Sequence, residues 1–235
     1  MYVDWLFPQP KPCAFCSRPA ERGGRWPLCT ECREEIGWIG ETRCEQCGRH
    51  MEPFPEKARV AHCSDCVRFE GGVPVVNRAV VQYTPLAREV ISLFKYRGRE
   101  TLADVLGTMM ADVVWREYES KEIDAVTYVP LHKRREEERG FNQAELLARV
   151  IGKKLRRPVV STLVRTRDTP KQSRQPRQSR LMGMTGAFTL KSDLGHCGPL
   201  LIVDDVYTTG ATLRACSREL LQGGCPQVLA VTFAR

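Results

Sequence analysis

Two sets of residues in this chain have the types and spacing to do chemistry. The first is a run of eight cysteines in four C-x-x-C pairs: Cys13/Cys16, Cys29/Cys32, Cys44/Cys47 and Cys63/Cys66. Each pair presents two thiolates on one tight knuckle, and two knuckles supply the four sulfurs of a tetrahedral Zn²⁺ site. Gly48, directly after Cys47, suits the positive φ of such a knuckle. Sequential pairing makes Cys13, Cys16, Cys29 and Cys32 one site and Cys44, Cys47, Cys63 and Cys66 the other, which gives about two structural zinc ions per chain. Interleaved pairing remains open at this level. His50 and His62 lie between pairs and read as loop histidines, although either has the chemistry to replace a cysteine. Cys197, Cys216 and Cys225 have no C-x-x-C partner and read as ordinary thiols. The second set is Asp204-Asp205 followed by Val206-Tyr207-Thr208-Thr209-Gly210-Ala211-Thr212. Two adjacent carboxylates, three threonine hydroxyls and the N–H groups of a helix start form a cradle for an anion, and phosphate is the usual one.

Those residues need particular elements behind them. Leu200 to Val203 is a continuous apolar run, which predicts a strand buried on both faces of a parallel sheet. It sets Asp204 and Asp205 at the strand's carboxyl end, where open α/β sheets bind ligands. Leu213, Cys216, Leu220 and Leu221 give one face of a following helix, stopped by Gly223-Gly224. Val228 to Phe233 is the last strand. Upstream, Val75 to Tyr83 reads as a strand. Thr84 and Pro85 then start a helix with Val90, Ile91 and Phe94 on one face. It leads to the basic tip Lys95-Tyr96-Arg97-Gly98. A second helix is expected over Leu102 to Glu119. Asp124 to Val129 is another strand, ending at Pro130-Leu131-His132. Lys133, Arg134, Arg135 and Arg139 follow in what reads as a charged loop beside the Asp204–Asp205 loop, and a helix begins near Ala144. Val159 to Val164 and Thr185 to Leu190 read as strands. Between them Arg165 to Arg180 is basic and poor in apolar residues, which predicts a mobile loop. The fold class is therefore α/β, a mostly parallel sheet flanked by helices, with a small cysteine-rich N-terminal domain. Glu70-Gly71-Gly72-Val73-Pro74 marks the boundary, giving domains 1–70 and 71–235.

Composition narrows the partners. The formal charge is +8, from 36 basic and 28 acidic residues, which favours phosphorylated ligands, nucleic acid or an anionic surface. No apolar run approaches the ~20 residues that span a bilayer. Met1 to Lys11 has neither a basic leader nor a long apolar core, so a cytoplasmic protein with reduced thiols is expected. Aromatic residues are 8% of the chain and form no stacking motif, so any single-stranded DNA binding should be electrostatic and indifferent to sequence.

The stretch Leu200 to Thr212 resembles the phosphoribosyl pyrophosphate (PRPP) signature of type I phosphoribosyltransferases. The resemblance implies that Asp204 and Asp205 are the catalytic acids, holding the ribose hydroxyls and through them Mg²⁺. It implies that the loop Val206, Tyr207, Thr208, Thr209, Gly210, Ala211 and Thr212 binds the 5′-phosphate. Lys95, His132, Lys133, Arg134, Arg135 and Arg139 are then candidates for the pyrophosphate side, and the basic 165–180 segment is a loop that closes on pyrophosphate or touches nucleic acid. Over nearly its whole length the chain is similar to the ComF family. The carrying features are the four C-x-x-C pairs, Phe94-Lys95-Tyr96-Arg97-Gly98, Pro130-Leu131-His132, Glu138-Arg139-Gly140-Phe141-Asn142-Gln143-Ala144 and the Asp-Asp loop. That similarity implies a double zinc ribbon on a phosphoribosyltransferase-like domain. It further implies a role in internalising transforming single-stranded DNA, the ComFA helicase-like ATPase as partner, and peripheral association with the membrane uptake machinery without a transmembrane segment. Two activities stay open: a PRPP-binding adaptor, or a transferase acting on an unknown acceptor. The chain ends within about two residues of its last strand, so a hood over an acceptor base is expected to come from the zinc head or the Val75–Tyr83 region.

Overall fold

β-branched and leucine-rich runs form the centre of the computed structural model, which describes residues 11–52, 61–68, 73, 75–96, 100–118, 122–167, 186–192, 194–195 and 197–235. Strands β1 (Val76–Val81), β2 (Ala125–Tyr128), β5 (Leu200–Val206) and β6 (Val228–Ala234) make one parallel sheet in the order β1-β6-β5-β2. The register pairs Val203 with Tyr128 on one side and with Val231 on the other. β5 is thus an inner strand, and its residues alternate between two cores. Leu201 and Val203 join the core beneath helices α3 (Pro85–Phe94), α4 (Leu102–Glu117) and α6 (Gln143–Leu155). Leu200 and Ile202 join the core beneath helix α7 (Ala211–Gln222). A strand buried on both faces needs apolar residues at every position, and this one has them.

Local chemistry sets the helix starts. The Thr84 side chain accepts a hydrogen bond from Ala87 N at 3.1 Å and Pro85 opens the first turn of α3; such a cap contributes about 1 kcal/mol. The Asn142 side chain caps α6 by accepting from Ala144 N and donates to Val129 O at 3.1 Å, tying α6 to the end of β2. Gly107 of α4 faces α6 so closely that an added Cβ would lie 2.7 Å from Val150 Cβ, so glycine permits the crossing of the two helices.

Three expectations are corrected. Lys133–Arg139 is not a loop but helix α5, closed by Gly140 at φ +86°. Its charges space as i,i+4 pairs of opposite sign, which supports a helix. The 159–164 segment is not one strand: Val159 makes a single parallel bridge to Val126, and the strand β3 (Leu163–Arg165) pairs antiparallel with β4 (Phe188–Leu190) in a separate two-stranded sheet. Helix α4 ends at Glu117 rather than Glu119. Arg97 and Gly98, positions 168–180 of the basic loop, and residues 69–72 and 74 of the interdomain boundary lie outside the described residues.

The cysteine region carries helix α1 (Thr30–Glu35) and helix α2 (Ser64–Val67), each starting inside a C-x-x-C knuckle. It packs directly on the sheet. Ile39 N donates to Val80 O, and Asn77 N donates to Gln46 O at 2.7 Å, so the free edge of β1 is covered. No described helix is long and apolar enough to cross a membrane.

Candidate phosphate cleft and cysteine sites

Strand alternation continues past Val203 and sends the two acids apart. Asp204 follows the Leu200–Ile202 face and Asp205 the Leu201–Val203 face. Asp205 reaches the end of α3, where its Oδ2 lies 2.7 Å from Lys95 Nζ. Asp204 Oδ1 accepts from Asp205 N at 2.9 Å. Burial, and then the charge of its neighbour Asp205, push the Asp204 carboxyl up to about 8. Burial also works to raise Asp205, but the Lys95 ammonium and then Arg139 more than offset it, so Asp205 lies below the ordinary carboxylate value. The pair therefore holds one proton near neutral pH, beside two cations.

The loop after the acids turns at Gly210, whose φ of +77° places it in the left-handed region. A Cβ there would collide with the Tyr207 ring. Thr209 Oγ1 accepts from Ala211 N at 3.4 Å, and Arg214 Nη1 holds Thr209 O at 3.0 Å. Arg235 Nη1 holds Thr208 O at 2.8 Å. Two guanidinium groups thus occupy the loop's carbonyls, and the loop runs into the start of α7, the positive end of the helix dipole.

A cleft of about 530 Å³ opens over these residues. It is lined from the ends of three parallel strands: Tyr83 after β1, Val129 and Leu131 after β2, and Asp204, Asp205 and Val206 at the end of β5. Thr208 and Thr212 line it from the loop, whereas Tyr207 is buried, with its ring turned inward. Of the pyrophosphate-side candidates the structure brings Lys95, Arg135 and Arg139 to the cleft. Burial lowers the pKa of the Arg139 guanidinium, and Asp205 counteracts this; Arg139 Nη1 donates to Gln143 Oε1 at 2.8 Å. Lys133 and Arg134 are not brought there. They stand on the exposed side of α5, 4.0 Å and 3.1 Å from Glu137 and Glu138. The half-buried His132 precedes α5 outside the cleft lining. Arg88 lines the cleft and was not singled out by sequence; Gln143 and Tyr83 line it too, named by sequence only within the Glu138–Ala144 run and as the end of the Val75–Tyr83 strand. Arg88 had a signal: it lies two helical turns before Lys95, on the same side of α3. Gln143 was part of a quoted motif, but its place at the cleft depends on the long-range seating of α6. Arg165 joins them from the start of the basic segment, its guanidinium 5.5 Å above the Phe188 ring.

The eight C-x-x-C cysteines form two sets. The ligand atoms of Cys13, Cys16, Cys29 and Cys32 all lie within 4.8 Å of one another, and so do those of Cys44, Cys47, Cys63 and Cys66. The pairing is sequential, and neither His50 nor His62 is part of these sets. Two cross-knuckle approaches, Cys16 to Cys29 at 3.5 Å and Cys47 to Cys63 at 3.6 Å, are near the ~3.8 Å edge of a tetrahedron with 2.3 Å Zn–S bonds. Cys63 N donates to Cys44 Sγ at 3.3 Å, as a thiolate ligand requires. Two all-sulfur sites of this size and softness fit structural zinc.

A family comparison agrees with the cysteine geometry. Residues 2–67 match the double zinc ribbon domain family. The chain is 31% identical over 215 residues to competence protein ComFC of Bacillus subtilis (strain 168), covering 89% of this chain and 82% of that protein. It is 28% identical to competence protein ComFC of Streptococcus pneumoniae (strain ATCC BAA-255 / R6), covering 88% and 87%. It is 29% identical to DNA utilization protein YhgH of Escherichia coli (strain K12), covering 92% and 93%. Among solved structures, the allosteric regulatory enzyme of purine biosynthesis aligns with a TM-score of 0.40 at 21% identity, over 57% of this chain and 26% of that one.

Proposed function

The chain belongs to the ComF family of competence proteins, and from that premise we propose that it is a ComFC-like protein of DNA uptake whose α/β domain binds PRPP. The observation that carries the PRPP reading is the cationic cleft. An acid pair ends an inner parallel strand, a left-handed turn follows, and Lys95, Arg135, Arg139, Arg88 and Arg165 surround the space above. A phosphate at the loop amides and Thr208 and Thr212, a ribose over Asp204 and Asp205, and a pyrophosphate toward the cations make one ligand of complementary charge. Mg²⁺ bound with PRPP would supply charge neutralisation between the acids and the phosphates. Lys95 is the residue that must release Asp205 when that happens, and its ammonium is then available to the ligand's phosphates.

The +8 charge supports a second property, sequence-independent binding of single-stranded DNA. An ATPase of the ComFA kind is the partner that the family implies, reached at the inner membrane surface from a cytoplasmic location. Transformation assays test the role. In a naturally transformable strain lacking its own ComF relative, wild type restores DNA uptake and the Asp204→Asn/Asp205→Asn variant does not. Restoration by that double variant would remove the ligand site from the function.

Catalysis is the alternative reading, favoured by the same Lys95, Arg135 and Arg139. Cations on the pyrophosphate side stabilise the charge of a departing pyrophosphate. Pyrophosphate release with a panel of nucleobase-like acceptors separates the two: none at any acceptor leaves a sensor or adaptor.

A further inference from the structure

One side chain joins the second cysteine site to the phosphate loop. The Arg235 side chain is only 6% exposed. Its Nη1 donates to Thr208 O at 2.8 Å and reaches Tyr207 O at 3.5 Å. Its Nη2 donates to Cys47 Sγ at 3.3 Å and lies 3.9 Å from Asp65 Oδ2, the carboxylate between Cys63 and Cys66. The guanidinium stacks over the Tyr207 ring, 4.7 Å from its centre. Tyr207 and the four cysteines of this site lie in one buried core with Ala211 and Leu213 of α7. The first site offers a control. There Arg18 Nε donates to Cys16 Sγ at 3.3 Å, but Arg18 is half exposed and its ion pair, with Glu31, stays inside the cysteine region.

We infer that Arg235 is a positioning residue: it seats the Val206–Thr212 loop on the second zinc site, so that metal occupancy there and anion binding at the loop are linked. The physical basis is a shared donor. A tetrathiolate zinc site keeps net negative charge, and a cation hydrogen-bonded to one sulfur helps to hold it. The same guanidinium fixes two carbonyls of the loop that brings Thr208 and Thr212 to the cleft, so it braces that stretch of backbone. Loss of the metal frees the knuckle that anchors Arg235, and the loop loses its brace. Linkage makes the effect reciprocal, so an anion that orders the loop slows zinc loss from the second site.

This inference rests on the PRPP reading only for the identity of the anion, and the test separates the two. Zinc-loaded full-length protein is mixed with an excess of a chromogenic chelator, and zinc release is followed with hydrogen exchange of the loop amides. Arg235→Met should speed release from the second site roughly tenfold, the effect of one lost charged hydrogen bond, and leave the first site unchanged. Arg18→Met should do the opposite. Loop amides of Arg235→Met should lose protection while both zinc ions are still bound, and Arg235→Lys should restore part of both effects. Equal acceleration at both sites, or unchanged second-site release with unchanged loop protection, overturns the proposal. Adding Mg²⁺ and PRPP should slow second-site release in wild type and not in Arg235→Met. PRPP that binds wild type without slowing release overturns the linkage. If calorimetry finds no PRPP binding, the ligand assignment fails, and the coupling is judged by the release and exchange results.

Discussion

At the scale of single residues, the central fact is that Asp204 and Asp205 are adjacent yet unlike. One keeps a proton and the other is ionised against Lys95. This divergence was legible only in part. The sequence supplied the acids, the glycine turn and the threonines, because these are consecutive residues with a local purpose. It did not supply the Lys95 contact, which needs the end of α3 to arrive beside β5, nor Arg88, nor the place of Gln143 in the cleft. The half-buried Asp204 should make the ligand-free site a source of instability. A folded-state value near 8, above the ~4 of an unfolded aspartate, means that the folded protein holds this proton more tightly. The stabilisation is complete below the unfolded value and is lost as pH rises through the folded one. Ligand-free Asp204→Asn should therefore melt about 5 °C above wild type near pH 9, and the gap should close as pH falls below about 4, where both states are protonated. Thermal melts across this range check it; a gap that does not change with pH would contradict the assignment. The cations divide in the same way. Arg139→Ala should weaken PRPP binding by roughly tenfold or more, while Lys133→Ala/Arg134→Ala, on the exposed side of α5, should leave it unchanged in a titration.

At the scale of elements, the knuckles and the strands were readable, and for different reasons. A C-x-x-C pair is its own sequence signal, and an unbroken run such as Leu200–Val203 can only be buried. Helix α5 was misread as a loop because it has no buried face; its i,i+4 charge pairs were the available sign. The split of 159–164 into a bridge and a strand is set by pairing partners 25 or more residues away, β4 above all, and no local pattern specifies it. Gly48 shows how tightly the second knuckle seats on β1. It has φ +70°, and an added Cβ would lie 2.7 Å from Asn77 O. Gly48→Ala carries both backbone strain and a clash with main chain that cannot move aside. It should cost about 2–3 kcal/mol and lower the zinc content from about two toward about one per chain. Metal analysis alongside a denaturant melt gives both numbers; normal zinc content at normal stability would place the knuckle away from β1.

At the scale of the whole molecule, the cysteine region is part of the sheet's own packing. Cys13, Cys29 and Cys32 lie in one core with α3, α4 and β6, and the second four cysteines lie in the other core with α7. Sequence suggested a small head on a separate domain, since composition changes near residue 70, but composition does not report packing across that boundary. Removing zinc should consequently disturb both cores: strong chelation should lose near-ultraviolet dichroism from the whole chain, not only from the first 70 residues. Single-stranded DNA binding, if carried by the +8 charge, should weaken steeply with salt and not with sequence. Affinity that is flat from low to moderate salt would contradict it. Everything proposed for the cleft turns on one ligand. Isothermal titration of PRPP into zinc-loaded protein, with and without Mg²⁺, should give saturable binding that requires Mg²⁺ and disappears in Asp204→Asn/Asp205→Asn while zinc content and melting remain those of a folded protein. No binding by wild type, or equal binding by the double variant, would contradict the assignment of this cleft to PRPP.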